Sequence, residues 1–147
     1  MRRLSLGVCL GVAAVLAVSS FMRPTVVQGE GEKAASTRVF EMRTYIAPPG
    51  KLAALHARFR DHTLKLFEKH GMKNVVYLSP TDPKKGVDNR LVYIISHDSK
   101  AASEKSWAAF KADPEWQAAY KASEKDGKLV EKVEVEFFTA TDYSPIK

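Results

Sequence analysis

The sequence predicts an α+β fold: one antiparallel four-stranded sheet with two helices on one face. Three observations predict it. Four short segments alternate their side chains with a period of two, namely 39–45, 74–79, 90–97 and 130–141. Two longer segments repeat apolar residues at three- and four-residue spacing, as one-sided helices do. The connection between the second and third strand segments, Pro80 to Asn89, is rich in turn formers and too short for a helical crossover, so these two strands are antiparallel neighbours. The resulting order, strand–helix–strand–strand–helix–strand, is the split βαβ, ferredoxin-like arrangement.

The first strand is Val39-Phe-Glu-Met-Arg-Thr-Tyr45, with Phe40, Met42 and Thr44 on one face and Glu41, Arg43 and Tyr45 on the other. Pro48, Pro49 and Gly50 end it and open a helix, since proline is tolerated in a first helical turn. Lys51 to His70 carries Leu52, Leu55, Phe59, Thr63, Leu66 and His70 along one stripe, with His70 at the C-terminus favourable to the helix dipole, and Gly71 stops the helix as a left-handed cap. Asp98 or Ser99 caps a second helix bearing Trp107 and Phe110. Asp113-Pro114 breaks that helix and restarts it: Asp113 suits an N-cap, Pro114 the first helical position and Glu115 the positive end of the dipole. Trp116 and Tyr120 then share a face, and Gly127 ends the piece.

The beginning of the chain reads differently. Met1-Arg2-Arg3 is a short basic start and Leu4 to Val18 is apolar or small throughout, the pattern of a secretory signal. Ala17-Val18-Ser19 suits cleavage; an uncleaved membrane anchor over residues 4–22 is the alternative. Residues 1–29 are thus a signal peptide or anchor with the start of a tether, 30–37 a flexible linker and 38–147 the folded domain. An exported protein, periplasmic or extracellular, is expected. The leader holds three basic residues (Arg2, Arg3 and Arg23) and no acid, so removing it from the 23 leaves 20 basic against 17 acidic, a net of +3. Such a balance, without clustered Lys and Arg, is not that of a nucleic-acid binder. The single cysteine, Cys9, lies in the leader, leaving a domain without disulfides.

One sheet face takes the predicted helices. The other is expected to carry Val39, Glu41, Arg43 and Tyr45 beside Val75 and Tyr77, with Leu91, Tyr93, Ile95 and His97 next to them. That face is too apolar to leave in water and too polar for a dry core. Packing against the same face of a second copy would resolve both problems, so a homodimer is expected.

The ordered pieces Phe40-Glu-Met-Arg-Thr-Tyr45, Pro49-Gly50-Lys51, Phe67-Glu-Lys-His-Gly71, Asn89 and Asp113-Pro-Glu-Trp116 resemble the NIPSNAP family, a branch of the dimeric α+β barrel proteins. The resemblance spans about residues 38–140. It implies a dimeric α/β barrel of two sheets with a cavity at each sheet's inner face. It settles no activity, because barrel relatives range from cofactor-free oxygenases to haem proteins.

Candidate ligand-binding residues are Glu41, Arg43, Tyr45, Tyr77 and Tyr93, and the candidates for chemistry are Glu41, Arg43 and His97. Arg43 suits an anion or a carbonyl, with Glu41 as its partner or a base. The competing reading makes Glu41–Arg43 an architectural ion pair. Trp107, Phe110, Trp116 and Tyr120 have the spacing of core aromatics rather than of a cage. No metal is expected: His56 and His70 stand about 21 Å apart along a helix, at 1.5 Å per residue, and no closely spaced His/Cys set exists. No cofactor motif is present either; neither a dinucleotide fingerprint nor a phosphate loop occurs. The expected partners are a second copy and a small-molecule ligand, with a membrane involved only if the leader is retained. Two functions remain open: a small-molecule binding or structural module, or a cofactor-independent oxygenase or isomerase acting on a small organic substrate.

Overall fold

The computed structural model describes residues 38–82, 84 and 89–147. The leader and linker assigned to residues 1–37 lie outside them. Four strands, β1 (Val39–Ile46), β2 (Lys73–Leu78), β3 (Arg90–His97) and β4 (Lys132–Phe138), form one sheet in the order β2-β3-β1-β4. Every neighbouring pair is antiparallel. The helical layer comprises α1 (Leu52–Arg58), a π-helical turn (Phe59–Thr63), α2 (Leu64–Lys69), α3 (Lys100–Ala112) and α4 (Pro114–Ser123). No helix among the described residues is long and apolar enough to cross a membrane.

Local chemistry accounts for the breaks. Gly71 ends the first helical run at φ 76°, with Met72 N–H donating to Phe67 O (2.9 Å) and Gly71 N–H to Glu68 O (3.0 Å), the paired bonds of a Schellman cap. A Cβ added at Gly71 would meet only Ser106 Oγ, at 3.7 Å. Gly71→Ala is therefore expected to cost about 1–2 kcal/mol from the left-handed backbone alone, measured by urea unfolding; no loss would mean that the cap relaxes. Ser99 caps α3 by accepting from Ala102 N–H (3.1 Å), and Asp113 caps α4 by accepting from Glu115 N–H (2.7 Å). Asp113 also holds Lys69 Nζ and His70 Nε2, each at 2.7 Å, so the Asp-Pro-Glu-Trp segment ties α4 to the end of α2. His70 thus serves this tie rather than a bare helix terminus.

The predicted single helix over 51–70 is interrupted. Within the π turn, Leu64 N–H reaches back to Phe59 O, and the Thr63 hydroxyl donates to Arg58 O (3.2 Å). The wider turn carries Arg58, Phe59 and Thr63 all to the inner side, where each is buried.

Two sequence expectations are overturned here. The first is the barrel. The sheet is open, β2 and β4 being its two unpaired edges, and it does not curl and close. The second is which face the helices cover. Glu41, Arg43, Tyr45, Tyr77, Tyr93, Ile95 and His97 lie on the covered face, where Glu41 bonds to α3 and Tyr93 meets Phe67 of α2. The helices themselves enclose that face, so it gives no ground for pairing with a second copy, and the argument for a barrel built on it falls with its premise. Phe40, Met42 and Thr44, predicted as core, lie on the other face and are only half-buried. Val75 also changes sides. The pairing slips between Asn74 and Val76, so Asn74 and Tyr77 share the covered face while Val75 lines the open one with Phe40 and Ile94.

The core lies between sheet and helices and is strongly aromatic. Phe67 stands at its centre, with ring centroids of Phe110 at 5.0 Å, Trp107 at 5.3 Å, Tyr93 at 6.0 Å and Phe59 at 6.3 Å. The helices reach over β2, β3 and β1 but leave β4 bare: all seven of its residues are exposed, including Val133, Val135 and Phe137. That shortfall creates the site.

Candidate ligand-binding site

The alternation of β1 places Glu41, Arg43 and Tyr45 in a row on the covered face. Their register partners are Ile95, Tyr93 and Leu91 on β3, and Phe137, Val135 and Val133 on β4. Glu41 is fully buried and accepts four hydrogen bonds. Arg43 Nε donates to Oε1 (2.6 Å), while His97 Nε2 (2.8 Å), Trp107 Nε1 (2.8 Å) and Ser103 Oγ (3.2 Å) donate to Oε2. Burial on its own would raise the carboxyl pKa. The donors from His97, Trp107 and Arg43, with the Arg43 charge, outweigh it and lower the value to about 2. Glu41 is thus a hub that is charged at neutral pH and saturated with donors, joining β1, β3 and α3.

Arg43 occupies the boundary between this hub and solvent. Its guanidinium carbon lies 3.8 Å from the centroid of the Trp107 ring, and its side chain is 17% exposed. Pinned through Nε and stacked on one face, it presents its terminal amino groups from a fixed position. Arg43 borders a cleft of about 650 Å³ between α3 and β4. Lys100, Ser103, Trp107 and Lys111 form one wall of that cleft, and Val135 and Phe137 of β4 form the other. Lys100 Nζ lies 3.7 Å from the Phe137 ring centroid. Arg43 is paired with Glu41 (2.6 Å) and Lys100 with Glu104 (3.9 Å), so Lys111 leaves the cleft with one positive charge in excess. The cleft therefore suits an anion with an apolar body.

A family model described as NIPSNAP matches residues 40–145. The chain belongs to the NIPSNAP family. Solved structures agree at the level of fold. A NIPSNAP family protein of unknown function from Agrobacterium tumefaciens superposes with a TM-score of 0.65 at 23% identity, over 76% of this chain and 96% of that one. An uncharacterised NIPSNAP-like domain protein from Burkholderia xenovorans gives 0.64 at 16% identity, over 75% and 90%. SnoaB, a cofactor-independent oxygenase from Streptomyces nogalater, gives 0.50 at 18% identity, over 74% and 98%. No curated protein matches the sequence.

Within this NIPSNAP domain, the predicted site residues share one face but divide among different environments. Glu41 and Arg43 border the cleft. His97 is buried at 1% exposure, bonded to Glu41 through Nε2, with no partner at Nδ1. Tyr93 is fully buried against Tyr45 and Tyr77 at 5.3 and 5.5 Å between centroids, and burial raises its hydroxyl pKa well above the ordinary phenol value. Tyr77 donates to Asn74 Oδ1, and burial raises its pKa too. Tyr45 instead lines a second cavity, on the far side of Trp107. Among the described residues, no three side chains able to ligate a metal converge.

Ser103, Trp107, Lys100, Val135 and Phe137 of the NIPSNAP cleft were not among the predicted site residues. One signal was available: Ser103 and Trp107 stand four apart on one helix face, a hydroxyl and an indole N–H aimed the same way. Their common target, a carboxylate more than sixty residues earlier, follows only from the tertiary fold.

Proposed function

We propose that this NIPSNAP domain is a binding module for a small organic anion, held in the cleft between α3 and β4 with Arg43 as the anion contact. The observation that carries this reading is the division of labour in the Glu41–Arg43 pair. Glu41 is consumed by structure; Arg43 is fixed by it and presented to the cleft. An anionic group meets Arg43 while an apolar body lies along Val135 and Phe137, two exposed side chains of β4, the second beside Lys100 Nζ.

The enzymatic alternative needs Glu41 or His97 to move a proton. Glu41 is fully bonded and titrates near pH 2, far from a useful base at neutral pH, and His97 is enclosed behind it. The geometry therefore favours binding.

Octanoate, titrated calorimetrically into the purified protein, tests the reading. Arg43→Ala should weaken binding about tenfold to a hundredfold, the equivalent of a charge-assisted hydrogen bond of ~1.5–3 kcal/mol. Glu41 keeps three of its four donors in that variant, so an unchanged circular dichroism spectrum is the control. Octanol, which lacks the charge, should not compete. Equal octanoate affinity in wild type and Arg43→Ala would remove Arg43 from the site.

A further inference from the structure

Behind Trp107, between the π-helical turn, α4 and the sheet, lies a second cavity of about 260 Å³. At ~30 Å³ per water it has room for about nine, the bulk of a one- or two-ring molecule. We propose that it is a separate binding site for a neutral planar aromatic molecule whose hydrogen-bond acceptor faces Arg58.

The lining dictates the class. Tyr45, Phe59, Trp107, Phe110, Trp116 and Tyr120 present ring faces and edges from β1, the π turn, α3 and α4. Stacked and edge-to-face packing on such walls selects flat π systems over branched aliphatic ones. Among the described residues, the only charged groups in the wall are Arg58 and Glu124, and they neutralise each other across 3.1 Å. A ligand carrying net charge would enter unpaired, so the occupant is neutral. Arg58 NH1 is committed to Glu124 and Ser123, while its Nε is buried and without a hydrogen-bond partner. Its guanidinium also lies 5.5 and 5.3 Å from the Trp116 and Tyr120 ring centroids. Arg58 itself lines the cavity, and its guanidinium brings N–H donors into an otherwise aromatic wall, where a carbonyl-type oxygen can meet them. The π turn is what brings this arginine inside together with Phe59 and Thr63, and such turns recur at functional sites.

This site stands independently of the anion cleft. It shares Trp107 with the cleft, but Arg43, Lys100 and Lys111 are absent from its lining. The probe is 1-acetonaphthone, two fused rings with one neutral carbonyl, titrated into the purified protein by equilibrium dialysis. Saturable binding is expected in wild type. Naphthalene, lacking the acceptor, should bind about tenfold more weakly, the loss of one hydrogen bond of ~1–1.5 kcal/mol. Val133→Trp should reduce acetonaphthone affinity at least about tenfold, because it fills the cavity from an exposed position on β4 that the fold does not depend on. Arg58→Lys should produce a similar loss; if that variant does not fold, Val133→Trp decides. Saturating octanoate, directed at the cleft, should leave acetonaphthone binding unchanged. Absence of saturable binding, or affinity unaffected by Val133→Trp, overturns the proposal. Displacement of acetonaphthone by octanoate would place the ligand in the cleft and overturn it as well. Failure of the octanoate experiment with acetonaphthone binding intact would remove the anion reading alone.

Discussion

Replacing Glu41 with leucine is expected to destabilise the domain by about 3–5 kcal/mol in urea unfolding. The carboxylate is the common acceptor for four donors. His97 and Ser103 are buried and would lose their partner, and Trp107 and Arg43 would lose theirs at the edge of the cleft. Each buried donor left unpaired costs about 1–3 kcal/mol. Leucine also leaves Arg43 as a half-enclosed charge, so the double replacement of Glu41 and Arg43 by leucine should recover part of the loss. A pH dependence accompanies this. The Glu41 carboxyl titrates at about 2 in the folded protein against 4.5 in the unfolded chain. The stability it contributes is thus complete above pH 4.5 and is lost as pH falls from there towards 2. Asp113, Glu115 and Glu134 also have lowered pKa values, because Lys69 and His70 hold the first, Lys65 the second and Lys132 the third. The Glu41 share is therefore read as a difference: Glu41→Gln should unfold with a shallower acid dependence than wild type across that window. Parallel curves would show that folding does not lower the Glu41 pKa.

The elements were legible because they are written locally. The bounds of β3 coincide with the alternating segment Arg90 to His97, and the caps at Gly71, Ser99 and Asp113 follow from the residue types at those positions. The facing of the sheet was not. Periodicity sorts β1 into two sets of side chains but does not say which set meets the helices. Glu41 and Arg43 argued against a core position, and on β3 both sets are apolar: Leu91, Tyr93 and Ile95 on one side, Val92 and Ile94 on the other. The buried assignment wins because α3 delivers an indole N–H and a hydroxyl to one carboxylate oxygen, which offsets the cost of enclosing it. That is long-range information, absent from any window of the sequence. The bulge at Val75 and the π turn escaped for a related reason, each being one residue out of phase with an otherwise regular pattern. Arg58 did leave a trace. It follows Leu55 by three residues on an apolar stripe, a place where an arginine needs an explanation.

The two halves of the site follow from one mismatch of size. A sheet of four strands is wider than the helical layer laid over it, so the helices close over β2, β3 and β1 and stop short of β4. Trp107 stands where the cover ends, bonded to Glu41, stacked on Arg43 and packed against Phe67 and Phe110. On its outer side is a charged cleft; on its inner side is an aromatic cavity. The edge strand that receives no helix supplies the floor of both, through Val135 and Phe137 in one and Val133 in the other.

Phe67→Ala is expected to cost about 3–5 kcal/mol, rivalling the loss of Glu41 through a different mechanism. Phe67 is 1% exposed and in edge or tilted contact with Phe59, Tyr93, Trp107 and Phe110, so its removal forfeits burial and leaves a void that surrounding rings cannot fill without leaving their own partners. Phe67→Leu, which keeps much of the volume, should lose less. Because Phe67 also lines the cavity beside Arg58, the void opens into that space rather than forming a sealed hole. Two consequences separate this site from an ordinary core position. The alanine variant should regain midpoint temperature on addition of 1-acetonaphthone by more than wild type does, since a ligand that fills the void stabilises only the folded state. Its preference should also shift towards a three-ring ketone such as 1-acetylanthracene over the two-ring probe. Thermal unfolding with each ketone measures both effects. Equal stabilisation of wild type and variant by both compounds would mean that the void does not join the cavity, and that Phe67 serves packing alone.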